Sequence, residues 1–266
     1  MQQQQQRQAL LFPGPVEALE VLVLNGQPLH VHFFEPLSIA NVGEVPLRLT
    51  DVGLRACDLA DLSLQQLMAL MLRPMCRIAR LNLSCVALGG DAVAALAGML
   101  RGNSSLRTLL LSCCALSDPM LAAILAPLIE PEVGKRNTSV AELDISGNEP
   151  GPTTEALLVA ILKYRTAPLT VAATHCAISL KGEARAAWAA PTPATAEADD
   201  SPRAEHVEPA VAVDLCNNQI ESFCVVSTLS SLLRSRTCCV VSLVLDHNPI
   251  GDSGCVSLLS AMVSTC

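Results

Sequence analysis

His175 and Cys176 form the single adjacent imidazole–thiol pair in the chain. A thiol beside an imidazole is the raw material of a cysteine nucleophile activated by a general base. The pair stands at an expected strand exit, where neighbouring side chains point to roughly opposite faces, so the two groups do not meet. The other histidines are His30, His32, His206 and His247, and none has H-E-x-x-H or similar ligand spacing. Gly134-Lys135-Arg136 lacks the upstream Gly and the following Ser or Thr of a phosphate loop. Of 12 cysteines, Cys113–Cys114 and Cys238–Cys239 are direct neighbours, not the C-x-x-C of zinc or thioredoxin-like sites. Cys57, Cys114 and Cys176 recur at one repeat position, and Cys76, Cys224 and Cys255 fall in helical stretches. Reduced structural thiols are the expectation. No catalytic residue, cofactor site or metal site is expected, and the chain reads as a non-enzyme.

The pattern that must position everything else is a repeat. In 140–150, VAELDISGNEP, apolar Val140, Leu143 and Ile145 are followed by Asn148. The same spacing, L-x-x-L-x-L-x-x-N-x-L, starts at Leu19, Leu49, Ile78, Leu106, Val140, Pro168, Ala210 and Val240. The fourth and sixth positions of each unit are apolar and alternate with other residues, as on a half-buried strand. Helical patterns follow at 62–72, 91–100, 154–162 and 222–233. In the third unit Ala92, Leu96, Met99 and Leu100 make one apolar helix face. One strand and one helix cannot bury this surface alone, whereas stacked neighbours can. The expected fold is a single α/β solenoid of about eight units, with a parallel inner sheet and outer helices. Leu81, Leu83, Leu109, Leu111, Leu143, Ile145, Leu243 and Leu245 are expected in its core.

Unit starts are separated by 30, 29, 28, 34, 28, 42 and 30 residues. A unit near 28 or 29 residues with a full helix resembles the ribonuclease-inhibitor-like leucine-rich repeats. Those alternate Cys and Asn at the ninth position, which here reads Gln27, Cys57, Val86, Cys114, Asn148, Cys176, Asn218 and Asn248. Gln27 and Val86 depart from the alternation. The resemblance covers about residues 16–266 and implies a horseshoe-shaped solenoid. It is nearly silent on function.

Residues 1–15 carry a glutamine run with little to bury and are expected to be a disordered tail. Residues 16–266 form the repeat domain. The spacing of 34 reflects a short polar insertion around 130–137, and the spacing of 42 a larger one. The Pro-, Ala- and acid-rich stretch 189–209 is expected to be a flexible loop. The last unit has no polar capping repeat after it, which solenoids normally need. That points to a partner covering this end or to a longer array.

Net charge is −8, with a pI of about 5.1, which argues against nucleic acid as the main partner. No apolar run approaches the roughly 20 residues that span a bilayer. The apolar stretch 9–12 is too short for a secretory core, so an intracellular, cytoplasmic protein is expected. The N-x-[ST] triplets at Asn82, Asn103 and Asn137 then read as chance matches.

Positions two, three, five, seven and eight of each unit are expected on the concave face or its rim. In units two to four they include Arg55, Arg80 and Arg107, with Asp51 the lone acid. In units five to eight they include Glu142, Asp144, Asp214 and Asp246, with His175 and His247 and no Lys or Arg. These charged residues are the candidate partner-binding set. Three function classes fit. The first is a protein-interaction scaffold or adaptor. The second is a small-GTPase regulator, because Ran GTPase-activating proteins resemble this repeat class, although their acidic tail is missing. The third is the ligand-sensing segment of a NOD-like receptor. Ran GTP hydrolysis with and without the protein separates the first two.

Overall fold

The structure is a computed structural model. It describes residues 19–29, 31, 33–34, 48–130, 136–165, 167–181, 210–235 and 238–263. The tail 1–15, the stretch 189–209 and most of the short polar insertion lie outside these residues.

Eight strands form one parallel sheet in strict chain order. They are β1 (Val21–Val23), β2 (Asp51–Gly53), β3 (Arg80–Asn82), β4 (Thr108–Leu110), β5 (Glu142–Asp144), β6 (Leu169–Ala172), β7 (Val211–Asp214) and β8 (Val240–Val244). Each strand covers the middle of an eleven-residue unit. The cross-strand partners, such as Leu81↔Leu109 and Leu109↔Leu143, are equivalent positions of successive units. The two long spacings leave this register intact across β4–β5 and β6–β7, so the extra residues are spent outside the sheet.

The helices are α1 (Asp61–Met71), α2 (Gly90–Gly102), α3 (Asp118–Ile129), α4 (Pro152–Tyr164), α5 (Ser222–Cys224, Val225–Leu229 and Ser230–Leu233, the middle piece a π turn) and α6 (Gly251–Val263). The helices α1 to α4 pack in sequence, and α5 packs on α6. A helix is about 10 Å wide, while strands sit about 4.8 Å apart, so a sheet-and-helix stack curves with the sheet inside. This is the leucine-rich-repeat solenoid that the spacing implies. Leu81, Leu83, Leu109, Leu111, Leu143 and Ile145 are at most 1% exposed. Leu243 and Leu245 are only half-buried, because β8 is the last strand and nothing stacks beyond it among the described residues.

Two hydrogen-bonded ladders tie unit to unit. In the first, the ninth position donates to the carbonyl of the sixth position one unit earlier. Cys57 Sγ reaches Leu24 O at 3.0 Å, and Cys114 Sγ reaches Leu83 O at 3.1 Å. Asn148 Nδ2 reaches Leu111 O and Asn218 Nδ2 reaches Ala173 O, both at 2.8 Å. Cys and Asn therefore donate to the same acceptor. Asn does more, since Asn148 Oδ1 also accepts the N–H groups of Cys114 and Leu116, each at 3.0 Å. Asn218 does the same for Cys176 and Ile178. The alternation is thus functional packing, in which an Asn unit satisfies the loop of the Cys unit before it. Burial pushes the Cys114 thiol up to about 11, which keeps it protonated as a donor.

The second ladder sits three residues before a unit start, where a helix gives way to the next strand. Asn103 Nδ2 donates to Met71 O at 2.6 Å, and Asn137 Nδ2 donates to Leu100 O at 2.7 Å. Both side chains are buried, so neither presents its amide for glycosylation in the folded chain. In the sixth unit Arg165 takes this place. It is 1% exposed and donates to Leu128 O, Asn137 O and Val140 O.

Carboxylates from one helix cap the next. The N-cap of α4 is Gly151, which has no side chain to cap with. Asp118, from the first turn of α3, instead accepts the N–H groups of Gly151, Thr153 and Thr154. A Cβ on Gly151 would meet the Asp118 carboxyl at 2.9 Å, so the capping geometry requires glycine. Burial raises the Asp118 pKa, but these donors together outweigh it and hold the group down at about 2. A depressed carboxylate adds stability that is complete above its ordinary pKa and vanishes as pH falls through the folded value. Asp118→Ala should therefore cost about 1 kcal/mol at neutral pH. In urea melts the gap between parent and variant should narrow from about pH 4 downward and close only below about pH 2. A gap at pH 2 as wide as at neutral pH would mean the carboxylate charge is not what caps α4.

Candidate protein-docking face

The strand side chains that do not enter the core sit at odd positions of each unit. The third position reads Val21, Asp51, Arg80, Thr108, Glu142, Thr170, Ala212 and Ser242 across the sheet, and the fifth reads Val23, Gly53, Asn82, Leu110, Asp144, Ala172, Asp214 and Val244. The ladder continues past the strands. At the eighth position every unit turns into the left-handed region, at Gly26, Ala56, Cys85, Cys113, Gly147, His175, Asn217 and His247, with φ between 54° and 72°. This turn lets its N–H bond the seventh carbonyl of the next unit, as in Cys85 N→Ser112 O and Cys113 N→Ser146 O, both 2.8 Å. Six of the eight residues are not glycine and take up the strain of that conformation. The row forms the rim where the chain leaves the sheet.

This rim settles the imidazole–thiol pair. His175 is exposed and Cys176 is buried, with the Cys176 Sγ on Thr174 O at 3.3 Å and Ile145 O at 3.5 Å. Burial raises the Cys176 thiol, the wrong direction for a nucleophile. Among the described residues, no group of three or more His, Cys, Asp or Glu side chains is arranged to hold a metal ion. The eleven described cysteines are all free thiols.

The candidate charges separate into two sets. Arg55 and Arg80 are exposed, and Arg80 lies 3.9 Å from the Asp51 carboxylate. Arg107 is also exposed, but it precedes β4, and its Nη1 donates to Ser139 O of the next unit at 2.9 Å. Its second position alternates with the third, so it shares the side of the fourth and sixth positions and lies along the lower edge of the sheet. Backbone and side-chain donors hold the acids in place. Glu142 accepts Thr108 Oγ1 at 2.9 Å, Asp144 accepts Ser146 N at 2.9 Å, and Asp214 accepts Cys216 N at 2.9 Å. Asp246 is exposed on the rim of the last unit. Between Asp144 and Asp214 the floor carries only Thr170, Ala172 and Ala212 from β6 and β7. Small side chains therefore lie between the fixed carboxylates. Sequence spacing put Glu142, Asp144 and Asp214 on strands, where the structure has them. It missed the turn at the eighth position, because Ala, Cys and His there carry no left-handed signal.

Comparison with known proteins agrees with the architecture. A leucine-rich repeat family model matches residues 238–259, which is the unit of β8 and most of α6. No curated protein matches the chain.

Proposed function

We propose that this chain is a non-catalytic protein-interaction scaffold that docks a basic segment of a partner on the C-terminal half of its sheet face. The observation that carries the reading is the arrangement of Glu142, Asp144, Asp214 and Asp246. The first three are held by donors from their own or the adjacent unit. No Lys or Arg stands at the third, fifth, seventh or eighth position of units five to eight. Fixed charges of one sign on a low-relief surface steer an oppositely charged partner and set its register. Leucine-rich-repeat domains generally serve protein–protein interaction, which agrees with this use. The net charge of −8 disfavours nucleic acid as the partner. No described helix is long and apolar enough to cross a membrane. Cys57, Cys114 and Cys176 act as thiol donors to buried carbonyls, which suits a reducing, cytoplasmic compartment.

The test is differential capture from native cell extract. The parent, an Asp144→Lys/Asp214→Lys/Asp246→Lys variant, and a variant with exposed convex-side charges reversed serve as baits. Proteins that bind the parent and the convex control but not the triple variant are the expected result. Equal capture by all three baits would refute the docking face.

A further inference from the structure

Among the described residues three cysteines are exposed, Cys85, Cys113 and Cys255. Cys255 lies on α6. Cys85 and Cys113 occupy the eighth position of neighbouring units, on the left-handed rim. Their N–H groups donate to Ser112 O and Ser146 O at the same 2.8 Å, so the two residues are successive rungs of one ladder. One position earlier the equivalent side chains already meet, with Ser112 Oγ donating to Ser84 Oγ at 2.9 Å. The rim residues on either side of the pair are Ala56 and Gly147, so no bulky side chain crowds the two thiols. A Cβ on Gly147 would stand 2.7 Å from Cys113 Sγ, and glycine there leaves the sulfur its room. Neither thiol belongs to the ninth-position ladder, whose sulfur donors are the buried Cys57, Cys114 and Cys176. The fold therefore sets two exposed sulfurs side by side and does not use them for its own bonding.

We propose that Cys85 and Cys113 form a two-coordinate site for a soft monovalent cation, copper(I). The spacing and the ligand set both select it. Neighbouring rungs of a sheet stand about 4.8 Å apart. With φ at 61° in Cys85 and 56° in Cys113, the two Cα–Cβ bonds run side by side and keep that separation. Two metal–sulfur bonds of about 2.3 Å, the length found in zinc thiolates, span about 4.6 Å when laid in line. The rung spacing matches such a bridge. A disulfide instead needs Cβ atoms about 3.8 Å apart, so it would have to pinch the rungs together. Among the described residues no third His, Cys, Asp or Glu completes a larger ligand group here. That excludes structural zinc, which takes four ligands, and the oxygen-seeking calcium and magnesium. Thiolates select copper(I), a filled-shell ion that accepts two ligands in line. On binding, each thiol gives its proton to solvent and two copper–sulfur bonds form. Copper stays at +1, so the step consumes no oxidant or reductant. The bound ion ties the third unit to the fourth across the rim.

Anaerobic titration of the reduced 266-residue chain with copper(I), against a chromophoric copper(I) chelator, tests this. The expected result is one copper per chain, with sulfur-to-copper absorption in the ultraviolet and a thermal melt raised by the ion. Cys85→Ser and Cys113→Ser should each weaken binding about 100-fold or more, beyond what losing an outer-shell partner costs. The double variant should be no worse than either single one, because one remaining sulfur makes no bridge. Cys255→Ser should bind as the parent does. Copper-free melts show whether each variant is folded. If a serine variant melts early, Cys85→Gly and Cys113→Gly repeat the titration, since glycine takes the positive φ of these positions without strain. A parent that holds no copper against the chelator overturns the proposal, as does a Cys85 or Cys113 variant that binds like the parent. One copper per two chains would mean that thiols of separate molecules make the bridge, and also overturns it.

Discussion

Arg165→Ala should destabilise the fold by about 4 kcal/mol, as large an effect as any single substitution here. Arg165 is fully enclosed at the junction of α4 with the next strand, and no carboxylate contacts it among the described residues. Burial and the neighbouring Arg136 pull its pKa down to about 10, which still leaves it charged at neutral pH. What offsets the buried charge is three backbone carbonyls, from the end of α3, the loop after it and the start of the fifth unit. Removing the guanidinium leaves all three acceptors unpaired around a cavity, and each such group costs about 1–3 kcal/mol. Arg165→Met fills the volume but leaves the carbonyls unmatched, so it should recover only part of the loss. Arg165→Lys keeps a donor that spans fewer acceptors and should fall between Met and the parent. Urea denaturation of the series gives the order directly. If Met proves as stable as the parent, the carbonyls are satisfied by water and the guanidinium is dispensable.

Leu111→Ala should cost about 2–5 kcal/mol. Leu111 is fully buried at the sixth position of the fourth unit, between Leu83 and Ile145 of its neighbours. Its N–H donates to Asp144 O at 2.7 Å, and its carbonyl accepts Asn148 Nδ2 at 2.8 Å. The side chain thus fills the core where the backbone bonding of the sheet meets the ninth-position ladder. In a solenoid each unit contacts only its neighbours, so a cavity at a central unit weakens two interfaces at once. The same substitution at Leu245, half-buried in the last unit, should cost clearly less. A change well under 1 kcal/mol for Leu111 would mean that the register of the fourth unit is wrong.

The repeat spacing carried the architecture because strand periodicity and unit length are both written in apolar residues. Leu109, Leu143 and Val171 recur at the fourth position, and the ladder joins those residues in order. The insertions did not disturb this reading, since extra residues between units change the loops and not the alternation. The second ladder had a sequence trace, since Asn103 and Asn137 each stand three residues before a unit start. Arg165 broke it, because an Arg doing the work of an Asn is recognisable only when its three carbonyl partners are in view. The left-handed rim was hidden for a related reason. Ala56, Cys85 and Cys113 are held in that conformation by the ladder bonds of the solenoid and by no local preference. Among the candidate site residues, alternation placed Glu142, Asp144 and Asp214 on the strands of the open face. Arg107 differs because its position is even within the unit, and its guanidinium turns to the backbone of the next unit.

We propose the fixed acids of the C-terminal half as the docking surface. Its most direct test is the association rate of a partner captured by the parent, measured by stopped flow at low and at high salt. Parent and the Asp144→Lys/Asp214→Lys/Asp246→Lys variant should differ by tenfold or more at low salt, on the order expected for electrostatic steering. The difference should shrink as salt shortens the range of the field. A triple variant that associates as fast as the parent at low salt would contradict the claim.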